Sequence, residues 1–308
     1  MKWVESVPNF SEGKRQEVVE AIIQEAKKID RVWVLDWSMD KDHNRSVVTI
    51  VGDGEQVAKA LYEMAKKAME LIDLRTHKGE HPRMGATDVI PLIPLQDTKV
   101  EDILEIAQGL GEEIGNSLGI PVYFYEKSAT APNRENLSDI RKGEYEKFTE
   151  KILSDDWIPD FGPRRVHPSA GVTAIGVREF LIAYNINLNT QNLGIAKSIA
   201  KAIRNISGGF RYVKALGMEL EEKQMTQVSI NMTNFKKTTL YRVFEAVKTE
   251  ARRYGVSIAS SEIVGLVPLQ ALVDTNDFYL QLDEFQKDRV IEYRLLELLG
   301  EEAKSKND

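Results

Sequence analysis

The 308-residue chain contains no cysteine. That removes any disulfide framework and any thiol nucleophile, and it leaves a soft metal site without its thiolate ligands. Positive charge is also short. Lys and Arg number 41 against 48 Asp and Glu, a net charge of −7, which argues against a general nucleic-acid binder. Local basic pockets for acidic small molecules remain open. No apolar run approaches the length of a membrane span, so no membrane partner is expected. The opening Met1-Lys2-Trp3-Val4-Glu5 carries an acid at once and lacks an apolar signal core, so a reducing, cytoplasmic location is expected. Neither a Walker loop nor G-x-G-x-x-G after a first strand occurs. Gly115-Asn116-Ser117-Leu118-Gly119 fits the G-x-S-x-G string, but the pattern places a helix before the serine and a strand after it. A nucleophile elbow needs the reverse order.

Histidine is scarce too, and two of the four fall in one stretch, Thr76-His77-Lys78-Gly79-Glu80-His81-Pro82-Arg83-Met84-Gly85-Ala86-Thr87-Asp88. The sequence before it, from Gln56 to Leu74, reads as an amphipathic helix; the sequence after it, Val89 to Ile93, reads as a buried strand. A loop fixed at both ends by rigid elements is a common seat of chemistry. The His77–His81 spacing suits a zinc pair on a helix. Gly79 weakens such a helix, and Pro82 turns His81 toward extended backbone, so no metal site is expected. His81 then reads as a general acid/base, because an imidazole gives and takes a proton near neutral pH. Its bland alternative is a surface histidine in a polar turn.

The order of elements suggests architecture. A strand at Trp3–Val7 leads through Pro8–Gly13 into a helix carrying Val18, Val19, Ala21, Ile22 and Ala26. Strands follow at Ile29–Asp36 and Ser46–Val51, joined by a polar bend from Ser38 to Arg45. The helix from Gln56 and the strand from Val89 complete a β-α-β-β-α-β pattern. A helix at Lys99–Ser117 and a strand at Val122–Tyr125 come next. Glu126–Asp160 reads as an exposed excursion, either covering a cleft or a plain surface insertion. Past a Gly/Pro-rich loop at Trp157–Gly171 and a strand at Val172–Val177, the pattern restarts: strands at Leu181–Leu188, Phe210–Leu220, Gln227–Met232 and Val256–Ile263, helices at Gly194–Ile203 and Thr239–Tyr254. Helical pieces at Gly265–Leu272 and Glu284–Leu299 and a polar tail at Glu301–Asp308 close the chain. The expected class is α/β (α+β), with two ferredoxin-like subdomains, residues 1–179 and 180–308, and a ligand crevice between them.

Three constellations stand out. The bend Asp40-Lys41-Asp42-His43-Asn44-Arg45 offers Asp40 or Asp42 to orient His81, and Arg45 as a fork for a substrate carboxylate. A solvated hairpin turn accounts for its Asp and Asn equally well. Lys78, Arg83, Arg164 and Arg165 suggest a cationic wall for an anionic small molecule, or four ordinary surface charges. Asn187, Asn189, Gln227, Ser229 and Asn231 alternate with apolar residues. They form either a buried polar face that needs a heterocycle as partner or a face turned to solvent.

Taken in order, Val7-Pro8-Asn9-Phe10-Ser11-Glu12-Gly13, Asn44-Arg45, Gly79-Glu80-His81-Pro82-Arg83-Met84-Gly85-Ala86, Asp160-Phe161-Gly162-Pro163, Asn185-Ile186-Asn187-Leu188, Gln227-Val228-Ser229 and Val264-Gly265-Leu266-Val267-Pro268-Leu269 resemble the formiminotransferase domain of the formiminotransferase-cyclodeaminase family across nearly the whole chain. The resemblance implies two α/β subdomains with a folate site between them, usually in a homodimer. It implies transfer of a formimino group from N-formimino-L-glutamate to N5 of tetrahydrofolate or its polyglutamates, with tetrahydrofolate as co-substrate. The catalytic histidine of the family falls on His81. Its folate-contacting loop falls on Gly162, Pro163, Arg164, Arg165, Val166, His167, Pro168, Ser169, Ala170 and Gly171. Asn44, Arg45, Lys78 and Arg83 are the expected substrate-binding residues, and Asp40 and Asp42 the expected partners of His81. Animal members carry an aspartate where this chain has Ser38. No cyclodeaminase follows, so the next deamination is expected to need a separate protein. Formyl transfer from N-formyl-glutamate, and a folate carrier without transfer activity, are the rival readings.

Overall fold

The structure, a computed structural model, describes residues 1–283, 285, 287–296 and 298. It divides into two compact units after Glu179. The expected tail at 301–308, and part of the helical piece expected at 284–299, lie outside the described residues; 291–296 is helical.

The first unit is built as β1 (Trp3–Ser6), β2 (Asn9–Phe10), α1 (Gln16–Lys27), β3 (Val32–Asp40), β4 (Arg45–Asp53), α2 (Gly54–Leu71), β5 (Thr87–Pro94), α3 (Val100–Ser117), β6 (Val122–Glu126), α4 (Leu137–Arg141), α5 (Glu144–Lys151) and β7 (Thr173–Val177). In its sheet β4 pairs with β3 on one side and with β1 and β2 on the other. Both β1 and β2 also pair with β5, all antiparallel; β7 and then β6 extend the sheet in parallel from β5. The short β2 was read as part of a turn. Its two residues continue the line of β1 beyond Val7-Pro8, which sets the Pro8–Gly13 motif inside the sheet.

Apolar residues at three- and four-residue spacing explain the helices. Val18, Val19, Ile22, Ile23 and Ala26 of α1, Val57, Ala60, Leu61, Met64 and Ala68 of α2, and Ile103, Ile106, Leu110 and Ile114 of α3 meet Val4, Val48, Ile50, Ile90 and Leu92 of the sheet in one core. Ser117 is the last residue of α3.

Two sequence expectations need correction. The strand expected to stop at Asp36 runs to Asp40, and the bend shrinks to the turn between Asp40 and Arg45. A bulge at Leu35 shifts the pairing, so that Trp33, Asp36, Ser38 and Asp40 lie opposite Val51, Thr49, Val47 and Arg45, on the sheet face away from the helices. The excursion at 126–160 is not merely exposed. Ile140, Phe148 and Ile152 are buried with Val89, Tyr123, Tyr125 and Ala174 in a separate core on the second face of β5, β6 and β7.

The second unit runs β8 (Ile182–Leu188), α6 (Leu193–Ile203), β9 (Val213–Leu220), β10 (Met225–Met232), α7 (Leu240–Arg253), β11 (Ile258–Val264) and α8 (Leu269–Leu280). Its sheet order is β11-β8-β10-β9, antiparallel throughout. The first unit sets β1, β3, β4 and β5 in the equivalent order, so the repeated β-α-β-β-α-β pattern is real. The polar face read from alternation supplies its own partners. Gln227 Nε2 donates to Asn187 Oδ1 at 2.9 Å and to Glu262 Oε1 at 3.3 Å, Asn187 Nδ2 donates to Ser260 Oγ at 3.0 Å, and Asn185 Nδ2 donates to Glu262 Oε1 at 3.1 Å. Asn189 falls beyond β8, and Asn231 is exposed.

Candidate active site

The stretch from Thr76 to Ala86 forms neither helix nor regular strand, yet it is anchored closely to the β3–β4 turn. Asn44 is the joint. Its backbone takes a left-handed conformation, φ 47°, which asparagine tolerates better than most residues. Its Oδ1 accepts from the Gly13 amide at 2.9 Å and its Nδ2 donates to the Lys78 carbonyl at 2.9 Å. Glu80 N–H donates to the Asp42 carbonyl at 3.1 Å. Gly79 is required by contact, because a Cβ there would lie 2.3 Å from the His43 carbonyl oxygen. Asn44, expected to touch substrate, is thus spent on joining three segments.

His77 is held in the same way. Its Nε2 donates to the Asn44 carbonyl at 2.9 Å, and its Nδ1 accepts from Arg83 Nε at 3.1 Å. Both ring nitrogens are taken, and burial, only partly opposed by the Asn44 bond, lowers the pKa of the ring below its ordinary value. Arg83, expected to bind substrate, is 6% exposed. It donates to Glu144 at 3.0 Å and to Glu146 at 2.8 Å, tying the histidine loop to α5. Lys78 remains exposed. An open depression of about 520 Å³ lies here, lined by Arg75, His77, Arg83, Glu144, Tyr145 and Glu146 among others.

His81 is not among the residues lining this depression. Arg45 Nη1 lies 3.3 Å from its Nε2. A guanidinium can only donate, so Nε2 is the acceptor and the proton sits on Nδ1. Burial, then the charges of Arg45, Arg141 and His43, push its pKa down from 6.5 to about 3. The ring is neutral, with its lone pair capped by a cation. Neither Asp40 nor Asp42 hydrogen-bonds it. Asp40 instead holds the His43 ring, Oδ2 to Nδ1 at 2.8 Å, and accepts from the Asp42 and His43 amides at 3.0 and 2.9 Å. Burial pushes the Asp40 carboxyl up, but these bonds outweigh it and leave it below its ordinary value. His43 in turn sets its ring edge-on to His81, with centroids 6.4 Å apart. The Asp42 side chain is placed on nothing, and its carbonyl serves the loop.

Beneath the loop sits Asp88, 1% exposed. Its Oδ1 accepts from the Met84 amide at 2.7 Å and its Oδ2 from Arg141 Nε at 2.9 Å. Arg141 was missed in the sequence, where it is one charge in a charged stretch.

The second loop borders the first. Gly171 pairs with Gly85, Ala86 N–H donates to Ala170 O at 2.9 Å and Leu74 N–H to Ser169 O at 2.9 Å. A Cβ on Gly171 would fall 2.1 Å from the Met84 carbonyl, and its φ of 71° already asks for glycine. His167 Nδ1 accepts from the Ala170 amide at 3.0 Å, and Tyr145 donates to Pro168 O at 2.6 Å. Arg164 is not free, since it donates to the Ile152 carbonyl at 3.2 Å and pairs with Asp155 at 2.8 Å. Of the four cations expected to form a wall, Arg83 and Arg164 are therefore structural.

Residues 3–178 match the family described as formiminotransferase domain, N-terminal subdomain, and residues 183–299 that described as formiminotransferase domain. The chain is 49% identical over 296 residues to a glutamate formimidoyltransferase of Streptococcus pyogenes serotype M1, covering 96% of this chain and 99% of the relative. A protein of the same name from Thermoplasma acidophilum is 49% identical over 297 residues, covering 96% and 98%. The formimidoyltransferase-cyclodeaminase of Rattus norvegicus is 41% identical over 303 residues, which span 95% of this chain and 56% of that longer protein. Among the described residues no cluster of His, Asp and Glu is arranged to hold a metal, and no helix is long and apolar enough to cross a membrane.

Proposed function

The chain belongs to the formiminotransferase family, and from that premise we propose that it is a glutamate formimidoyltransferase: it moves the formimino group of N-formimino-L-glutamate to N5 of tetrahydrofolate. The observation that carries the reading is near-full-length identity to stand-alone enzymes of that name, together with a half-buried, uncharged imidazole in a rigid loop.

The chemistry needs one proton moved. The N5 lone pair attacks the amidine carbon, giving a tetrahedral adduct. The N5 proton leaves, the glutamate nitrogen gains one, and the C–N bond to glutamate breaks, because an amide anion leaves poorly. Net, the N5 proton ends on glutamate. We assign that transfer to His81, taking the proton at Nε2 and delivering it to the leaving nitrogen. Arg45 Nη1 points its N–H at that lone pair. A substrate carboxylate would draw the guanidinium away and free the base, which places Arg45 as the first carboxylate anchor. The loop Gly162–Gly171, hydrogen-bonded beside the histidine loop, is assigned to tetrahydrofolate or its polyglutamates; Arg165 is its cation without a hydrogen-bond partner among the described residues. The same reading takes the protein as a cytoplasmic homodimer.

His81→Ala should lower turnover about 10²- to 10⁴-fold while tetrahydrofolate binding, measured by calorimetry, stays near wild type. Unchanged turnover would remove His81 from the reaction. Comparing N-formimino- with N-formyl-L-glutamate at equal concentration decides the donor.

A further inference from the structure

We propose that Arg141 is a second carboxylate anchor beside Arg45, and that the pair selects a dicarboxylate donor through its glutamate half. The inference rests on the reading of His81 as the reacting base.

Both guanidiniums are held in place with donors to spare. Asp88 receives Arg141 through Nε and Nη2 on a single oxygen, its other oxygen being committed to the Met84 amide. Nη1 of Arg141 has no partner among the described residues. This is not the parallel fork by which a carboxylate saturates an arginine; Asp88 grips one corner and leaves the far edge open. Arg45 is barer still. Its one hydrogen bond goes to a histidine nitrogen at 3.3 Å, and its Nε and Nη2 have no partner among the described residues. Asp40, the carboxylate across the hairpin from it, is committed to His43. A half-buried guanidinium without a hydrogen-bonded counter-ion is costly. Asp88 is bonded to Arg141 and Asp40 to His43, so both carboxylates act on Arg45 only through space and neither fills its open donors.

The donor supplies negative charge at two distances from the reacting centre. Its α-carboxylate is on the carbon bearing the leaving nitrogen, so it belongs to the arginine that touches His81, which is Arg45. Its γ-carboxylate lies two methylenes further out. It belongs to Arg141, which acts on His81 only through space. Binding at both would also offset the cationic charge that adds to burial in lowering the His81 pKa. Arg141 is thus a positioning and specificity residue, and the reacting atoms are left to His81.

The test compares N-formimino-L-glutamate with N-formimino-L-2-aminobutyrate, which lacks the γ-carboxylate, on wild type, on Arg141→Met, and on Arg141→Met with Asp88→Asn. The last variant removes the buried charge together with its partner, so it folds without an orphaned carboxylate. For wild type, removing the γ-carboxylate should raise KM about 10- to 100-fold, the effect of a charge-assisted hydrogen bond. Either variant should show the same rise with the full donor, no further rise with the truncated one, and an unchanged KM for tetrahydrofolate. Penalties that multiply, a wild type indifferent to the γ-carboxylate, or an equal rise in the tetrahydrofolate KM would each overturn the proposal. Wild type inert toward N-formimino-L-glutamate would instead refute the activity itself.

Discussion

Glu5 offers a sharp physical test of the first unit. It sits on β1 between Val51 and Ile93, 5% exposed, and its Oε2 accepts no hydrogen bond among the described residues. Burial raises its pKa from 4.5 to about 7, with Arg178 only partly opposing. A displacement of that size corresponds to about 3 kcal/mol between the two protonation states. Below pH 4.5 the native and unfolded chains both hold the proton. Between 4.5 and about 7 the unfolded chain releases it while the native one keeps it, so native stability falls as pH rises. Above 7 the native state carries the full cost of a buried carboxylate. Glu5→Gln removes the titration but keeps the shape. Its melting temperature relative to wild type should therefore climb between pH 4.5 and pH 8, by about 6–12 °C for a unit of this size. Scanning calorimetry across that range reads the difference directly. Two parallel curves would show that Glu5 is solvated or paired in the native state, and would refute the burial argument.

Three further outcomes are expected. His81, with its pKa near 3, should give an imidazole NMR signal that stays flat from pH 5 to 8; a midpoint near 6.5 would disprove its buried, cation-rich setting. By the same linkage, the unfolded chain gains a proton that the native ring refuses, so His81 withdraws stability as pH falls from 6.5 toward 3. Gly79→Ala drives a Cβ into the His43 carbonyl and should cost about 1–3 kcal/mol, with turnover down at least about tenfold as His81 is displaced. Gly109→Ala, where nothing lies within 4 Å of an added Cβ, should instead stabilise α3 slightly, and the two melting curves check the contrast. Arg134→Met strips Asp160 of a partner at 2.9 Å in a site where both side chains are nearly buried. It should cost about 3–5 kcal/mol in urea unfolding, whereas a shift below 1 kcal/mol would mean the pair is solvated.

What sequence could disclose divides by range. The stripes of α1, α2 and α3 repeat within a few residues, so periodicity reads them. The two β-α-β-β-α-β runs follow from element order alone. His81 stood out because its glycines, proline and charges are contiguous. Arg83 misled for the opposite reason. Its partners lie 61 and 63 residues away, and nothing local distinguishes a clasping arginine from a substrate-binding one. Arg141 and Asp88, 53 residues apart, were invisible as a pair. Asp40 was expected to partner His81; the structure pairs it instead with His43, three residues along the chain, which is the shorter closure. The polar residues of β8 and β10 were placed on one face by alternation; that they satisfy one another depended on β11, which carries Ser260 and Glu262.

The bulge at Leu35 bears on the protein's solubility. Among the described residues β3 pairs with β4 alone, so its other side is a free edge nine residues long, with Trp33, Leu35 and Trp37 all more than a third exposed. A flat apolar edge of that kind is a template on which a second copy can add its own strand. The extra residue interrupts the row of amide and carbonyl groups and sharpens the twist, so an incoming strand finds no continuous register to follow. Removing Leu35 would leave Asp36, Ser38 and Asp40 on their present face and His81 with its present neighbours. It would straighten the edge, and the cost would appear as self-association rather than as lost turnover.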